Sequence, residues 1–129
     1  MAIQALHQLD IQGNELLARL DEFFAENETD RSVRKLARDW TKRTWQDLAQ
    51  CDRYISACII KWQLSRLSTV DKSILRLAVY QLKSCPDIPP RVVINEAIEL
   101  AKKFGSDKSG SFVNGVLDSF LKKIRAGNI

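Results

Sequence analysis

Phe112, Asn114, Asp118 and Lys122 fall at spacings that could hold a single-stranded nucleic acid. At about 100° per helical residue, Asn114, Asp118 and Lys122 form a polar line with Gly115 beside it, and Phe112 lies more than a quarter turn from the centre of the apolar stripe. An aromatic ring at a helix edge can stack an unpaired base, and a lysine near exposed backbone can hold its phosphate. The same spacing also describes an ordinary helix surface. In that reading Phe112 packs under the loop before it, Asp118 and Lys122 make an i to i+4 pair, and Gly115 admits a neighbouring helix.

Three further groups could carry function. Gln4 and His7 project from the side of the first helix opposite Leu6 and Leu9, where the imidazole either meets a base or is solvated. Arg31, Arg34, Lys35, Arg38 and Lys42 form a basic stripe with Trp45 close to its line, which is either a solvated face or a surface for polyanions. Ser73, Arg76, Leu77, Tyr80 and Ser84 make a second face on a helix whose first face is Ile74, Leu75, Ala78 and Leu82, so this helix needs two neighbours. The second neighbour is either another helix of the chain or a partner protein, for which tyrosine and arginine are favoured anchors.

Covalent and metal chemistry find little support. The sequence has no glycine-rich phosphate loop and no nucleophile paired with a second conspicuous histidine. Cys51, Cys58 and Cys85, with His7 as the only histidine, suggest neither a disulfide framework nor a zinc site, so the thiols are expected to be reduced and structural. No cofactor is expected, and the chain reads as a binding protein.

The elements that must position these residues are helical. No stretch alternates apolar and polar residues for long enough to read as a strand. The first helix is expected over about Ala2 to Ile11, closed by Gly13, with Asn14 capping a second that carries Leu16, Leu17, Leu20, Phe23 and Phe24. Asp30 can cap a third, about Arg31 to Ala49, and a fourth spans about Asp52 to Gln63. Ser68-Thr69-Val70-Asp71 resembles a capping box opening a fifth helix that reaches about Ser84. The segment from Cys85 to Pro90 breaks the chain, with Pro90 at the first position of the sixth helix. Gly105 ends that helix, and Ser106 or Asp107 can cap the seventh.

The 129 residues suffice for one domain, 1–129, with its own core. No apolar run approaches the roughly 20 residues that span a bilayer, so a cytoplasmic protein is expected. The net charge of +4 hides an asymmetry: residues 1–30 hold seven acids and one base, and residues 31–129 hold nineteen bases and nine acids. A surface of that sign attracts polyanions without specifying which.

The wording from Val92 to Lys123 is more specific than its period requires. Val93-Ile94-Asn95-Glu96-Ala97, Ala101-Lys102-Lys103-Phe104-Gly105 and Phe112-Val113-Asn114-Gly115-Val116-Leu117-Asp118 resemble the C-terminal signature of the NusB family of bacterial transcription antitermination factors. The likeness continues through Val70 to Tyr80 and Asp87-Ile88-Pro89, and Gln4 to Asp10 looks like the family's first helix. It implies an all-α, seven-helix fold of two three-helix subbundles packed across each other. It also implies binding of boxA RNA in nascent ribosomal transcripts, jointly with the ribosomal protein NusE, within an RNA polymerase antitermination complex. On that resemblance Gln4, His7, Phe112, Asn114, Asp118 and Lys122 are the RNA-side positions, and Arg76, Leu77, Tyr80 and Gln81 the NusE-side positions. The family's arginine-rich segment has no counterpart before Gln4, which motivates an alternative: a NusB-like protein scaffold without specific RNA binding. Some members dimerise, so a homodimer stays open.

Overall fold

The computed structural model describes residues 2–13, 16, 20, 22–23, 30–59 and 67–127. Among these are six helices: α1 (Ala2–Gln12), α2 (Arg31–Gln46), α3 (Leu48–Cys58), α4 (Thr69–Ser84), α5 (Pro90–Phe104) and α6 (Ser109–Arg125). The expected second helix falls largely outside the described residues. Leu16, Leu20, Glu22 and Phe23 are helical, however, and Leu16 and Leu20 are buried.

Local signals set most boundaries. Gly13 takes φ +71° and its N–H donates to the Leu9 carbonyl, closing α1 in the left-handed conformation that glycine adopts without a Cβ penalty. Asp30 accepts hydrogen bonds from the Ser32 and Val33 amides at 2.8 and 3.2 Å, capping α2. Pro90 sits at the start of α5, where its missing N–H is of no consequence.

Two expected boundaries are corrected, and a third holds with its capping box incomplete. The break after α2 falls at Asp47, not near Ala49, and α3 begins at Leu48 rather than Asp52. No proline or glycine interrupts this region, and i to i−4 bonding runs on through Asp47 to Arg43 and from Cys51 to Asp47, leaving only a one-residue irregularity. At Ser68 the capping box is half made: Ser68 Oγ accepts from the Asp71 amide at 3.1 Å, while Asp71 Oδ1 is buried without a hydrogen-bond partner. Neither Ser106 nor Asp107 caps α6 with its side chain. Instead the buried Ser109 hydroxyl reaches back to accept from the Ser106 amide at 3.0 Å.

α4 is the centre of the packing. Residues 73–81 are all buried, a run too continuous for one contact face. α4 packs against α1, α2, α3, α5 and α6, and α5 and α6 also pack on each other. Fully buried Phe120, Leu117 and Val113 of α6, Ile74, Leu75 and Val79 of α4, Ile55 of α3 and Leu6 and Leu9 of α1 form one continuous core. No helix among the described residues is long and apolar enough to cross a membrane.

The three thiols are free. Burial, reinforced by Asp47 and Asp52, pushes the Cys51 thiol up to about 12, so its thiolate is almost absent at neutral pH. Because the thiolate is the reacting species, Cys51 should be the last of the three modified by a thiol reagent at pH 8, and only upon unfolding. Mass spectrometry of partially labelled protein checks the order; early labelling of Cys51 would contradict its burial.

Candidate nucleic-acid interface

α6 presents two sides because its apolar residues recur at three and four. Val113, Val116, Leu117 and Phe120 are buried, and Asn114, Gly115, Asp118 and Lys122 are exposed. Gly115, Asp118, Ser119, Lys122, Lys123 and Ala126 line a shallow depression of about 440 Å³. A Cβ on Gly115 would meet nothing within 4 Å, which removes the idea that this glycine admits a neighbouring helix. Its absent side chain instead leaves backbone open at the surface. Gly110, by contrast, is buried against Lys102 and Ile98 of α5.

Asp118 and Lys122 form an i to i+4 ion pair at 3.0 Å, with side chains 56% and 75% exposed. Exposed pairs of this kind contribute about 0.3–0.5 kcal/mol, so a ligand can separate them at small cost. Phe112 lies one turn toward the N-terminus of α6, half-buried against the core but not covered. Asn114 stands at the opposite edge of the polar line. Phe112 and Asn114 therefore flank the depression rather than line it.

Lys123 is the residue that sequence periodicity misses. Its Nζ donates to the Ala57 carbonyl at 2.7 Å, tying α6 to the last turn of α3 across 66 residues of sequence. The tie fixes one wall of the depression and places a cation where the C-terminal carbonyls of α3 carry partial negative charge.

On α1, Gln4 is exposed and His7 half-buried, with Nδ1 shielded and lacking a hydrogen-bond partner. A freely solvated imidazole is thereby corrected: its ring is partly packed away. α1 rests on α4 and α2, whereas α6 rests on α5, α4 and α3, so the two helices with candidate RNA-side residues are joined through α4.

The four partner-side candidates separate into two pairs, and all are buried in the isolated chain. Arg76 faces α3, where its Nε and Nη2 donate to the Asp52 carboxylate at 2.8 and 3.0 Å. Tyr80 lies with Cys51 and Tyr54 beside a cavity of about 310 Å³, its phenol raised by burial and countered by a hydrogen bond from Arg43. As exposed anchors, Arg76 and Tyr80 are corrected: α3 and α2 of the same chain meet them through Asp52 and Arg43. Leu77 and Gln81 instead line an apolar groove of about 450 Å³ between α2, α4 and α5. Its lips include Val33, Leu36 and Val92, which are 43%, 50% and 46% exposed.

A helical bundle whose surface offers a polar strip on one helix and an apolar groove between three others is built as a binding protein. The chain belongs to the NusB family, whose profile it matches over residues 1–122. It is 40% identical to the transcription antitermination protein NusB of Syntrophus aciditrophicus over 128 residues, covering 99% of this chain and 80% of that protein. It is 41% identical to the Bacillus subtilis protein of the same name over 123 residues, covering 95% and 91%. Among solved structures, T. maritima NusB superposes with a TM-score of 0.84 at 38% identity, covering 95% of this chain and 86% of the other. A crystal structure of antitermination factors NusB and NusE in complex with double-stranded RNA superposes at 0.80 with 27% identity, covering 94% and 90%. The all-α fold is that of the NusB family.

Proposed function

We propose that this chain is a cytoplasmic transcription antitermination factor, a single RNA- and protein-binding domain that joins NusE on boxA RNA of nascent ribosomal transcripts and supports processive elongation. Its action is bridging, not chemistry. The observation that carries the reading is the α6 strip: exposed backbone at Gly115, a separable Asp118–Lys122 pair and a half-covered Phe112 occur together on a chain of this family.

In this reading Phe112 stacks a base, while Asp118 and Asn114 hydrogen-bond to base edges. Lys122 takes a phosphate, and Gln4 and His7 of α1 extend the contact. NusE docks on α4 from the groove side, where Leu77 and Gln81 are within reach and Val33, Leu36 and Val92 supply apolar area. Arg76 and Tyr80 act from behind, holding α4 against α3 so that the groove keeps its shape. Two modest interfaces on one RNA raise the effective affinity of each.

Titration of fluorescent boxA RNA with this protein, alone and with NusE, tests the reading. NusE should increase RNA affinity, and Phe112→Ala should lower it about tenfold, since a base–aromatic stack is worth roughly 1–3 kcal/mol. If RNA with a mutated boxA competes as well as the native element at moderate salt, and Phe112→Ala has no effect, the chain is a protein scaffold instead.

A further inference from the structure

α2 carries six of the chain's 20 basic residues against one acid, Asp39, within 16 residues. Arg31, Arg34, Lys35, Arg38 and Lys42 fall within about a third of its circumference, on the flank away from the groove-lining Val33, Leu36 and Trp40. Arg31, Lys35 and Lys42 are exposed, and Arg34 and Arg38 half-exposed. Among the described residues, Arg31, Arg34, Lys35 and Lys42 have no carboxylate within ion-pair distance; Arg38 lies 3.7 Å from Asp39.

This arrangement works against the helix that bears it. Arg31 and Lys35, Arg34 and Arg38, and Arg38 and Lys42 are like charges at i and i+4, each a destabilising pair. Apart from the capping Asp30 the N-terminal turn holds no acid, so Arg31 and Arg34 also face the positive end of the helix dipole with one carboxylate to offset them. A bound polyanion reverses both effects. The stripe covers 11 helical steps, about 16 Å, long enough to follow several nucleotides of an extended strand. Trp45, half-buried against the core, lies on the same flank at its C-terminal end. α2 packs directly on α1, the helix of Gln4 and His7.

We infer that this flank of α2 is a second RNA contact, a track for the phosphate backbone of single-stranded RNA. Arg31, Lys35 and Lys42 bind phosphates. The track reads no sequence. It rests on the RNA-binding reading above only for which RNA is delivered to it.

The experiment compares wild-type protein with R31Q/K35Q/K42Q, binding fluorescent boxA RNA and a scrambled single strand of equal length across roughly 50 to 200 mM salt. The three side chains are exposed, so the variant should fold with an unchanged or raised thermal midpoint, as circular dichroism will report. A control variant, R53Q/K83Q/R91Q, removes the same charge from α3, α4 and α5. The expected result is a log–log salt slope shallower by about 2 on both RNAs for the α2 variant, from about 0.7 per lost phosphate contact. The control should change the slope by less than half as much. Equal slopes for wild type and the α2 variant would overturn the track, as would an equal loss in the control, which would reduce the effect to net charge. Loss of polyglutamate binding with RNA slopes unchanged would also overturn it and assign the stripe to an acidic polypeptide. If wild type binds boxA and scrambled RNA alike while the α2 slope change persists, boxA recognition fails and the track stands.

Discussion

Asp52→Ala is expected to destabilise the protein by about 3 kcal/mol or more, with urea or thermal unfolding as the measurement. The Arg76 side chain is 7% exposed and its guanidinium donates two hydrogen bonds to the Asp52 carboxylate. Alanine removes the carboxylate that accepts two of the buried guanidinium's hydrogen bonds, and the penalty comes from losing that compensation for a desolvated charge more than from any intrinsic strength of the pair. The thermal midpoint should fall by roughly 10 °C. Asp52→Asn, which keeps one acceptor, should lose less. A loss below about 1 kcal/mol in Asp52→Ala would mean that Arg76 finds another carboxylate or water, and that α3 is not held to α4 at this point.

Gly105→Ala should cost about 2–3 kcal/mol, in the range of an overpacked core substitution, although Gly105 is not in a left-handed conformation. Its φ of −98° and ψ of −165° suit any residue. The obstacle is space: an added Cβ would lie 2.5 Å from Ser109 Oγ and 2.7 Å from both the Ala101 carbonyl oxygen and Ser109 Cβ. Ser109→Ala removes only the hydroxyl, so the double variant should recover little, because the other two contacts persist. Full recovery in the double variant would show that the hydroxyl alone was the obstacle. The turn at Gly105 orients α6 on α5 and so sets where Phe112 emerges. Gly105→Ala should therefore weaken RNA binding as well, in a protein still folded at low temperature.

Helix existence was legible because each signal is local. Asp30, Ser68, Pro90 and Gly13 act through their own or adjacent backbone groups, and the three-and-four spacing of Val113, Val116, Leu117 and Phe120 places them on one side before anything packs there. The misses were equally physical. Ser106 and Asp107 are both good capping residues, but neither side chain caps α6, and the bond formed there instead runs from the Ser106 amide to the buried Ser109 hydroxyl. The break at Asp47 carries no proline or glycine and could not be located from composition. Which way Arg76 and Tyr80 face depended on whether α3 covers α4, and the partner at Asp52 is 24 residues away.

The sequence alone determined the helical class, the family signature, the apolar and polar sides of α6, and the concentration of positive charge on α2, since all follow from residue order at a fixed helical period. Tertiary structure decided which polar sides stay open. It buried Arg76 and Tyr80, gathered Leu77 and Gln81 into a groove with Val33, Leu36 and Val92, and fixed Lys123 to Ala57 beside Asp118 and Lys122. Period gives a side chain its direction about its own axis, but exposure depends on the neighbouring helices, and those are set by contacts distant in sequence.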